Sequence, residues 1–229
     1  MKTQSALIFG YNEYGLEIAK NVTKKYKDIT FFSLENSSKE SEYKIEKFDL
    51  SDNWDDLQRE YNIEESMAFC ALNDEAKNIF LIISLRSSFE NLQIVALANN
   101  NEDANKMYMA GASKVIPLVE TTAGIISDMV EKPIMTKVMH TILYEDSDLQ
   151  IAQIEVKNSE RFEGRHPLDI DWNRKYGVIV LSVIRENMSS EFIYSSKSKH
   201  HEISNGDIFV VVGYEKDLQS FRKLVGDEK

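Results

Sequence analysis

Two glycines, Gly10 and Gly15, enclose a short loop near the start of the chain. The residues between them are Tyr11, Asn12, Glu13 and Tyr14. A strand-like apolar run precedes the loop and an amphipathic run follows it, which is the setting in which a Gly-x-Gly-x-x-Gly loop binds the phosphates of a dinucleotide. In that role Gly10 makes the tight turn and Gly15 lets the helix pack close to the strand. The loop is therefore a candidate phosphate-binding site.

Two carboxylates follow the next two strand-like runs. Glu35 lies 20 residues after Gly15, at the end of the second run. A carboxylate at that position commonly binds ribose hydroxyls in dinucleotide-binding domains. Asp49 follows the third run. We therefore predict that Glu35 contacts a ribose and that Asp49 lies on the adenosine side.

Two residues of the loop oppose simple pyrophosphate binding. Asn12 stands where the middle glycine would let backbone approach the phosphates, and Glu13 adds a negative charge beside them. Asparagine tolerates left-handed backbone better than most residues, but it still carries a side chain. Two interpretations stay open: a nucleotide site of altered type, or a retained turn that binds no dinucleotide. We predict that Asn12→Gly improves dinucleotide binding.

Alternating strands and helices must position these residues. Apolar runs predict strands at 6–9, 29–34, 43–48, 67–72, 92–98 and 115–117. Amphipathic runs predict helices at 16–26, 54–61, 75–88 and from 101 to Gly111, the second capped by Ser51 or Asp52. Strands separated by helices imply right-handed βαβ units. The fold class is therefore α/β, a Rossmann-like doubly wound parallel sheet.

The pattern changes after residue 119. An apolar row at every fourth residue comprises Ile126, Val130, Ile134, Val138 and Ile142. Pro133 interrupts this row, so we expect a connector helix with a break or kink near Lys132. Strands at 151–156, 178–184, 192–194 and 208–212, helical turns within 167–176 and a helix at 216–225 then predict a small α+β lobe. The predicted divisions are 1–119, 120–147 and 148–229.

Composition narrows the function classes. The 229 residues include 27 Lys and Arg against 38 Asp and Glu, a net charge of −11. This balance disfavours nucleic-acid binding and docking on anionic membranes. The single cysteine, Cys70, precludes an internal disulfide and is expected to be a buried structural thiol. No apolar run reaches the length that spans a membrane, so we expect a cytoplasmic protein without membrane insertion.

The histidines and acidic residues of the sequence do not have the spacing of a known catalytic or metal-binding motif. His140 falls on the connector, His166 in a loop, and His200 and His201 in a polar tract. Acidic clusters such as 145–148 lack the spacing of a calcium loop and are expected to be solvated. An oxidoreductase would need an acid or base near the nicotinamide, and no candidate stands out. We therefore predict a protein that is not an enzyme, with an NAD(P)-dependent oxidoreductase as one alternative.

Several segments resemble RCK domains, the regulators of potassium conductance also called KTN or TrkA-type domains. These are LIFGYNEYGLEIA at 7–19, FDLSD at 48–52, ALNDEAKN at 71–78, MAGASKVIP at 109–117, YGVIVL at 176–181 and NGDIFVVVG at 205–213. They occur in the family's order along nearly the whole chain. The resemblance adds Leu50 and Asn73 to the candidate ligand-binding residues.

The resemblance implies a cytosolic sensor that controls a potassium channel or a Ktr/Trk-type transporter at the inner face of the cell membrane. Such domains pair through the connector helix, and the pairs assemble into a gating ring, commonly of eight copies. The implied ligand is an adenine nucleotide: NAD(H), ATP, ADP or AMP. A divalent cation could compensate Glu13 and Glu35, which flank the predicted pocket. A nucleotide sensor unrelated to ion transport is the remaining alternative.

Overall fold

The chain forms two compact units, Met1–Ser127 and Asp128–Lys229. The computed structural model describes residues 4–23, 25–35, 41–144, 148–162, 164–185, 190–192 and 202–227. His200, His201 and most of the acidic cluster at 145–148 lie outside these residues.

A six-stranded parallel sheet forms the centre of the first unit. Its strands are Ser5–Phe9 (β1), Asp28–Ser33 (β2), Lys44–Lys47 (β3), Met67–Cys70 (β4), Gln93–Ala98 (β5) and Lys114–Pro117 (β6). They lie in the order β3-β2-β1-β4-β5-β6. Every residue of β1 is buried, as expected for a central strand covered on both faces. The predicted α/β, Rossmann-like class is confirmed.

Four helices connect these strands: Glu13–Val22 (α1), Asp55–Glu60 (α2), Glu75–Ser88 (α3) and Asn101–Met109 (α4). The strand order reverses at β1, which pairs with β2 on one side and β4 on the other. Ligands of open α/β sheets bind at the carboxyl ends of the strands beside such a reversal. The topology therefore directs attention to the loops that follow β1, β2 and β4.

Two helix starts differ from the prediction. α1 begins at Glu13 rather than 16, because the Asn12 side chain accepts a hydrogen bond from the Gly15 amide and caps the helix. The predicted cap of α2 by Ser51 or Asp52 is wrong. Trp54 holds the N-cap position in a left-handed conformation (φ 60°) without a side-chain cap. Its buried indole Nε1 instead donates to Ser84 Oγ at 2.7 Å.

The predicted break in the connector is confirmed. Leu118–Glu131 (α5) and Pro133–Tyr144 (α6) are separate helices that meet at Lys132. The Thr136 hydroxyl donates to the carbonyls of Asp128 and Lys132, each at 3.0 Å. Both carbonyls also accept a backbone N–H, from Lys132 and Thr136 respectively, so the hydroxyl bonds add to the helical bonds on either side of Pro133, which has no N–H to donate.

A four-stranded antiparallel sheet forms the second unit in the order β7-β10-β8-β9. Its elements are Leu149–Glu155 (β7), Trp172–Tyr176 (α7), Val178–Ile184 (β8), Ser190–Phe192 (β9), Ile208–Tyr214 (β10) and Glu215–Val225 (α8). β9 precedes the strand predicted at 192–194, and residues 193 and 194 lie outside the described part. The Trp172 ring contacts Phe209 and Phe221 at centroid distances of 5.4 and 5.9 Å. The predicted small α+β lobe is confirmed.

The Cys70 thiol is buried in the core, as expected. Burial raises the pKa of this thiol, because an apolar environment disfavours the thiolate. Cys70 is therefore a packing residue. Among the described helices, none combines the length and apolar character needed to cross a bilayer.

Candidate functional site

The loop between β1 and α1 requires both of its glycines. Gly10 has a φ of +125°, and a Cβ atom there would lie 2.4 Å from the carbonyl oxygen of Ala71. A Cβ atom on Gly15 would lie 2.2 Å from the carbonyl oxygen of Gly10. Both distances are far inside van der Waals contact, so only glycine fits either position. The two residues have the steric roles that their spacing predicts.

Hydrogen bonds of the Asn12 side chain connect this loop to the loop after β4. Its Oδ1 accepts from the Gly15 amide at 2.9 Å. Its Nδ2 donates to the carbonyl oxygen of Ala71 at 2.6 Å and to Asn73 Oδ1 at 2.8 Å. The backbone of Asn12 is extended (φ −140°), so the left-handed tolerance of asparagine plays no part here. The side chain, rather than the backbone, sets the role of this residue.

A cleft of about 210 Å³ opens where the loops after β1, β2 and β4 meet. Five of the predicted site residues line it: Gly10, Tyr11, Asn12, Glu35 and Asn73. Its other lining residues are Ser33, Leu34, Leu72, Asp74 and Lys77. Sequence reasoning missed these five, although most follow directly from the carboxyl ends of β2 and β4. Lys77 is less evident, because it lies in the first turn of α3 rather than in the loop before it.

The other predicted site residues lie outside the cleft lining. Glu13 and Tyr14 are exposed on the first turn of α1, and Gly15 is buried beneath that turn. Leu50 packs against the core. Asp49 accepts hydrogen bonds from the Ser51 hydroxyl at 2.6 Å and the Ser51 amide at 2.9 Å, and these bonds lower the pKa of its carboxyl. Asp49 thus stabilises the turn after β3.

Helix α3 contributes both charges and support to the cleft. Asp74 Oδ1 accepts from the Lys77 amide at 2.9 Å and caps the helix. The buried Asn78 side chain accepts from the Leu72 amide at 3.0 Å and donates to the Leu72 carbonyl at 2.8 Å. These two bonds fix the turn after β4. Sequence reasoning assigned no role to Asn78, and its place in the same helical stripe as the apolar Leu81, Ile82 and Leu85 is the signal for one.

A carboxylate pair lies at the neighbouring strand ends. Burial and a hydrogen bond with Asp103 raise the pKa of Glu75. Lys106, whose Nζ lies 3.0 Å from Asp103 Oδ1, lowers the pKa of Asp103. Of the two carboxyl groups, Glu75 is therefore the one that keeps its proton to higher pH. Within the described ranges, no group of three or more His, Cys, Asp or Glu side chains is placed to bind a metal ion.

Two domain matches together span most of the chain. The TrkA-N domain matches residues 6–118 and the TrkA-C domain matches residues 151–226. The chain belongs to the TrkA-type, or RCK, family. The predicted resemblance is confirmed, with the two domains in their expected order. The chain is accordingly a regulatory RCK domain.

Two proteins of Methanocaldococcus jannaschii resemble this RCK chain along almost all of its length. Potassium channel protein 1 is 23% identical over 228 residues, which cover 96% of the chain and 66% of the relative. Probable potassium channel protein 2 is 21% identical over 224 residues, covering 93% of the chain and 58% of the relative. The chain thus spans less than two thirds of the length of either relative.

Two solved structures share the RCK fold. The human SLO3 gating ring aligns with 95% of this chain and 45% of its own, with a TM-score of 0.66 and 11% identity. The GsuK channel aligns with 100% of this chain and 39% of its own, with a TM-score of 0.50 and 15% identity. At these identities the likeness establishes the fold alone.

Proposed function

We propose that this RCK chain is the cytosolic, ligand-sensing part of a potassium channel or uptake transporter. The observation that carries the proposal is the continuous similarity to two potassium channel proteins across both domains. The pore would belong either to a longer form of the same chain or to a separate Ktr/Trk-type membrane subunit. In both cases the protein would work at the inner face of the cell membrane.

Potassium flux in the source cells tests this role. In-frame deletion of the coding segment for residues 6–226 should change the initial rate of rubidium uptake at least about twofold. An RCK domain biases the equilibrium between open and closed pores, so its loss resets that equilibrium. Restoring the segment should restore the rate. Unchanged uptake in potassium-limited and potassium-replete cells would contradict the proposal.

The proposed ligand is an adenine nucleotide bound in the cleft between the β1, β2 and β4 loops. NAD(H), ATP, ADP and AMP all contain the ribose that Glu35 is suited to bind, because a carboxylate accepts hydrogen bonds from vicinal hydroxyls. The cleft lies where the strand order reverses, and Gly10 brings backbone to its floor. Lys77 supplies a positive charge for a phosphate group.

Glu35→Ala tests the ribose contact. We expect this change to weaken ADP binding by about 1–3 kcal/mol, measured by isothermal titration calorimetry, because it removes charge-assisted hydrogen bonds. Glu17→Ala is the matched control: Glu17 is an exposed glutamate on α1 whose ion pair with Lys20 lies on the surface. Equal ADP affinity in the Glu35 variant and the wild type would remove Glu35 from the site.

We also propose that the protein associates with a second copy of itself through the connector. We call the exposed apolar side chains between residues 129 and 143 the connector face, and they are Met129, Val130, Ile134, Met135, Val138, Met139 and Leu143. No residue of α5 is buried, although the helix is rich in apolar residues. A contiguous apolar surface of this kind commonly marks a protein interface. Further association of such pairs into a ring, commonly of eight copies, would complete the gating device.

The nucleotide and the connector would act together as a population shift. A ligand changes the balance between two ring states only as far as it binds one state more tightly than the other. The cleft lies at the edge of the first sheet, between loops that a bound nucleotide would hold together. A difference in the spacing of these loops between states would give the ligand its preference.

A further inference from the structure

The Asn12 carboxamide has no bonding capacity left for a ligand phosphate. Both N–H groups of Nδ2 are used, one by the Ala71 carbonyl and one by Asn73. Oδ1 accepts the hydrogen bond of the Gly15 amide. Without this bond, the amide could donate to a bound phosphate at the start of α1. The position that normally admits phosphates is therefore filled by a side chain that satisfies the protein's own groups.

This side chain also stands across the path of a dinucleotide. A dinucleotide extends along the carboxyl edge of the sheet from the β2 side, over the β1 loop, to the β4 side. Asn12 bridges the β1 loop to Ala71 and Asn73, which immediately follow β4. Asn12 thus occupies the middle of the cleft lining, where the pyrophosphate of a dinucleotide would pass from the β2 side to the β4 side.

The charges and size of the cleft agree with a single nucleotide. Its volume of about 210 Å³ is below the roughly 300–1,000 Å³ of most small-molecule sites. Among its described lining residues, Lys77 is the one basic side chain, whereas Glu35 and Asp74 are acidic. Glu13 adds another carboxylate on the first turn of α1. One phosphate group can meet Lys77, whereas a pyrophosphate would bring two phosphate groups to this single described basic side chain.

We propose that Asn12 makes this cleft selective for an adenine mononucleotide over a dinucleotide. The inference rests on the proposed function, because it takes an adenine nucleotide as the ligand. It goes further by assigning the discrimination to one side chain and to its bridge between the β1 and β4 loops. Asn12 is therefore a specificity-determining residue.

Calorimetry with AMP and NAD⁺ on the full chain tests the selectivity. The wild type should bind AMP at least about tenfold more tightly than NAD⁺, the discrimination expected when one charge-assisted hydrogen bond is denied. Asn12→Gly frees the Gly15 amide and removes the bridge, so the affinity for NAD⁺ should approach that for AMP. Asn12→Ser keeps an oxygen that can cap the helix but removes the two Nδ2 N–H groups that form the bridge. It should therefore give an intermediate ratio of AMP to NAD⁺ affinity in a chain whose helix cap is intact.

Asn21→Ser provides the matched control, since Asn21 lies on the same helix and its Nδ2 donates to the Glu17 carbonyl rather than to a residue of the cleft. It should leave the ratio of the two affinities unchanged. Equal affinity of the wild type for AMP and NAD⁺, or the same ratio in all three Asn12 forms, would overturn the selectivity while the proposed nucleotide site stands. If neither AMP nor NAD⁺ binds the wild type or either variant, the nucleotide site itself is refuted, and the selectivity with it.

Discussion

Replacing Val130 and Ile134 by glutamate should convert the protein from a self-associated form to a monomer. The two side chains are 76% and 81% exposed in the single chain, so the substitutions disturb little packing within it. Both positions lie on helices, where glutamate is well tolerated. The expected effect therefore falls on association rather than on folding.

The size of the effect follows from symmetry. In a twofold dimer each substitution occurs twice, so four carboxylates would enter an apolar interface without partners. Desolvating unpaired charges at an interface costs several kcal/mol, so we expect the dimer dissociation constant to rise at least about a hundredfold, or roughly 3 kcal/mol. Sedimentation equilibrium over a range of protein concentrations measures this constant directly.

Lys137→Glu is the control for this experiment. Lys137 is an exposed residue of α6 that is not part of the connector face, and the substitution makes a larger change in charge than either test position. It should leave the dissociation constant within about threefold of the wild-type value, as expected for a charge at the polar rim. A wild-type chain that is monomeric at micromolar concentration, or a double variant that still forms dimers, would contradict association through the connector face.

The connector also shows which structural features the sequence can predict and which it cannot. Its apolar row and Pro133 predict a connector helix with a break or kink near Lys132, and the structure has two helices that meet at this residue. Periodicity cannot say whether an apolar row is covered, because that depends on what else packs against it. Only the exposures reveal that the described residues of the protein leave Val130 and Ile134 uncovered.

The cleft was predictable where chemistry follows from spacing. Gly10, Gly15 and Glu35 occupy positions that a strand-loop-helix pattern fixes, because the strand order brings the ends of β1 and β2 together. The contact between Asn12 and Asn73 joins residues 61 positions apart, and no local pattern encodes such a bond. Asp49 failed to reach the cleft for the opposite reason: its strong bonds are local, with Ser51 two residues away.

Boundaries were the least predictable feature of the elements. Apolar periodicity places the start of α1 at Leu16, the first residue of its apolar face. The helix instead starts at Glu13, directly after its N-cap residue Asn12. The polar first turn is helical because the Asn12 cap stabilises it, although it contains no apolar periodicity that would predict a helix. The same side chain therefore determines both where α1 starts and how it faces the cleft.

Gly15→Ala should be among the most destabilising small changes in the chain. The new methyl group would lie 2.2 Å from the Gly10 carbonyl oxygen, 3.2 Å from the Phe31 ring and 3.3 Å from Ile8. The Gly10 oxygen belongs to backbone that is itself fixed against Ala71, so α1 must move away from β1 to relieve the clash. Overpacking of a buried position typically costs about 1–3 kcal/mol, and loss of the Asn12 cap adds about 1 kcal/mol.

Gly124→Ala is the same substitution with the opposite expected sign. Gly124 lies inside α5, and a Cβ atom there would meet no atom within 4 Å. Alanine in an exposed helix interior is more favourable than glycine by about 0.5–1 kcal/mol, because it reduces the conformational entropy of the unfolded chain. Urea denaturation followed by circular dichroism should therefore separate the two variants by about 2–5 kcal/mol in the free energy of unfolding. Equal stabilities would mean that α1 does not depend on close contact with β1, and the steric argument for the glycine loop would fail.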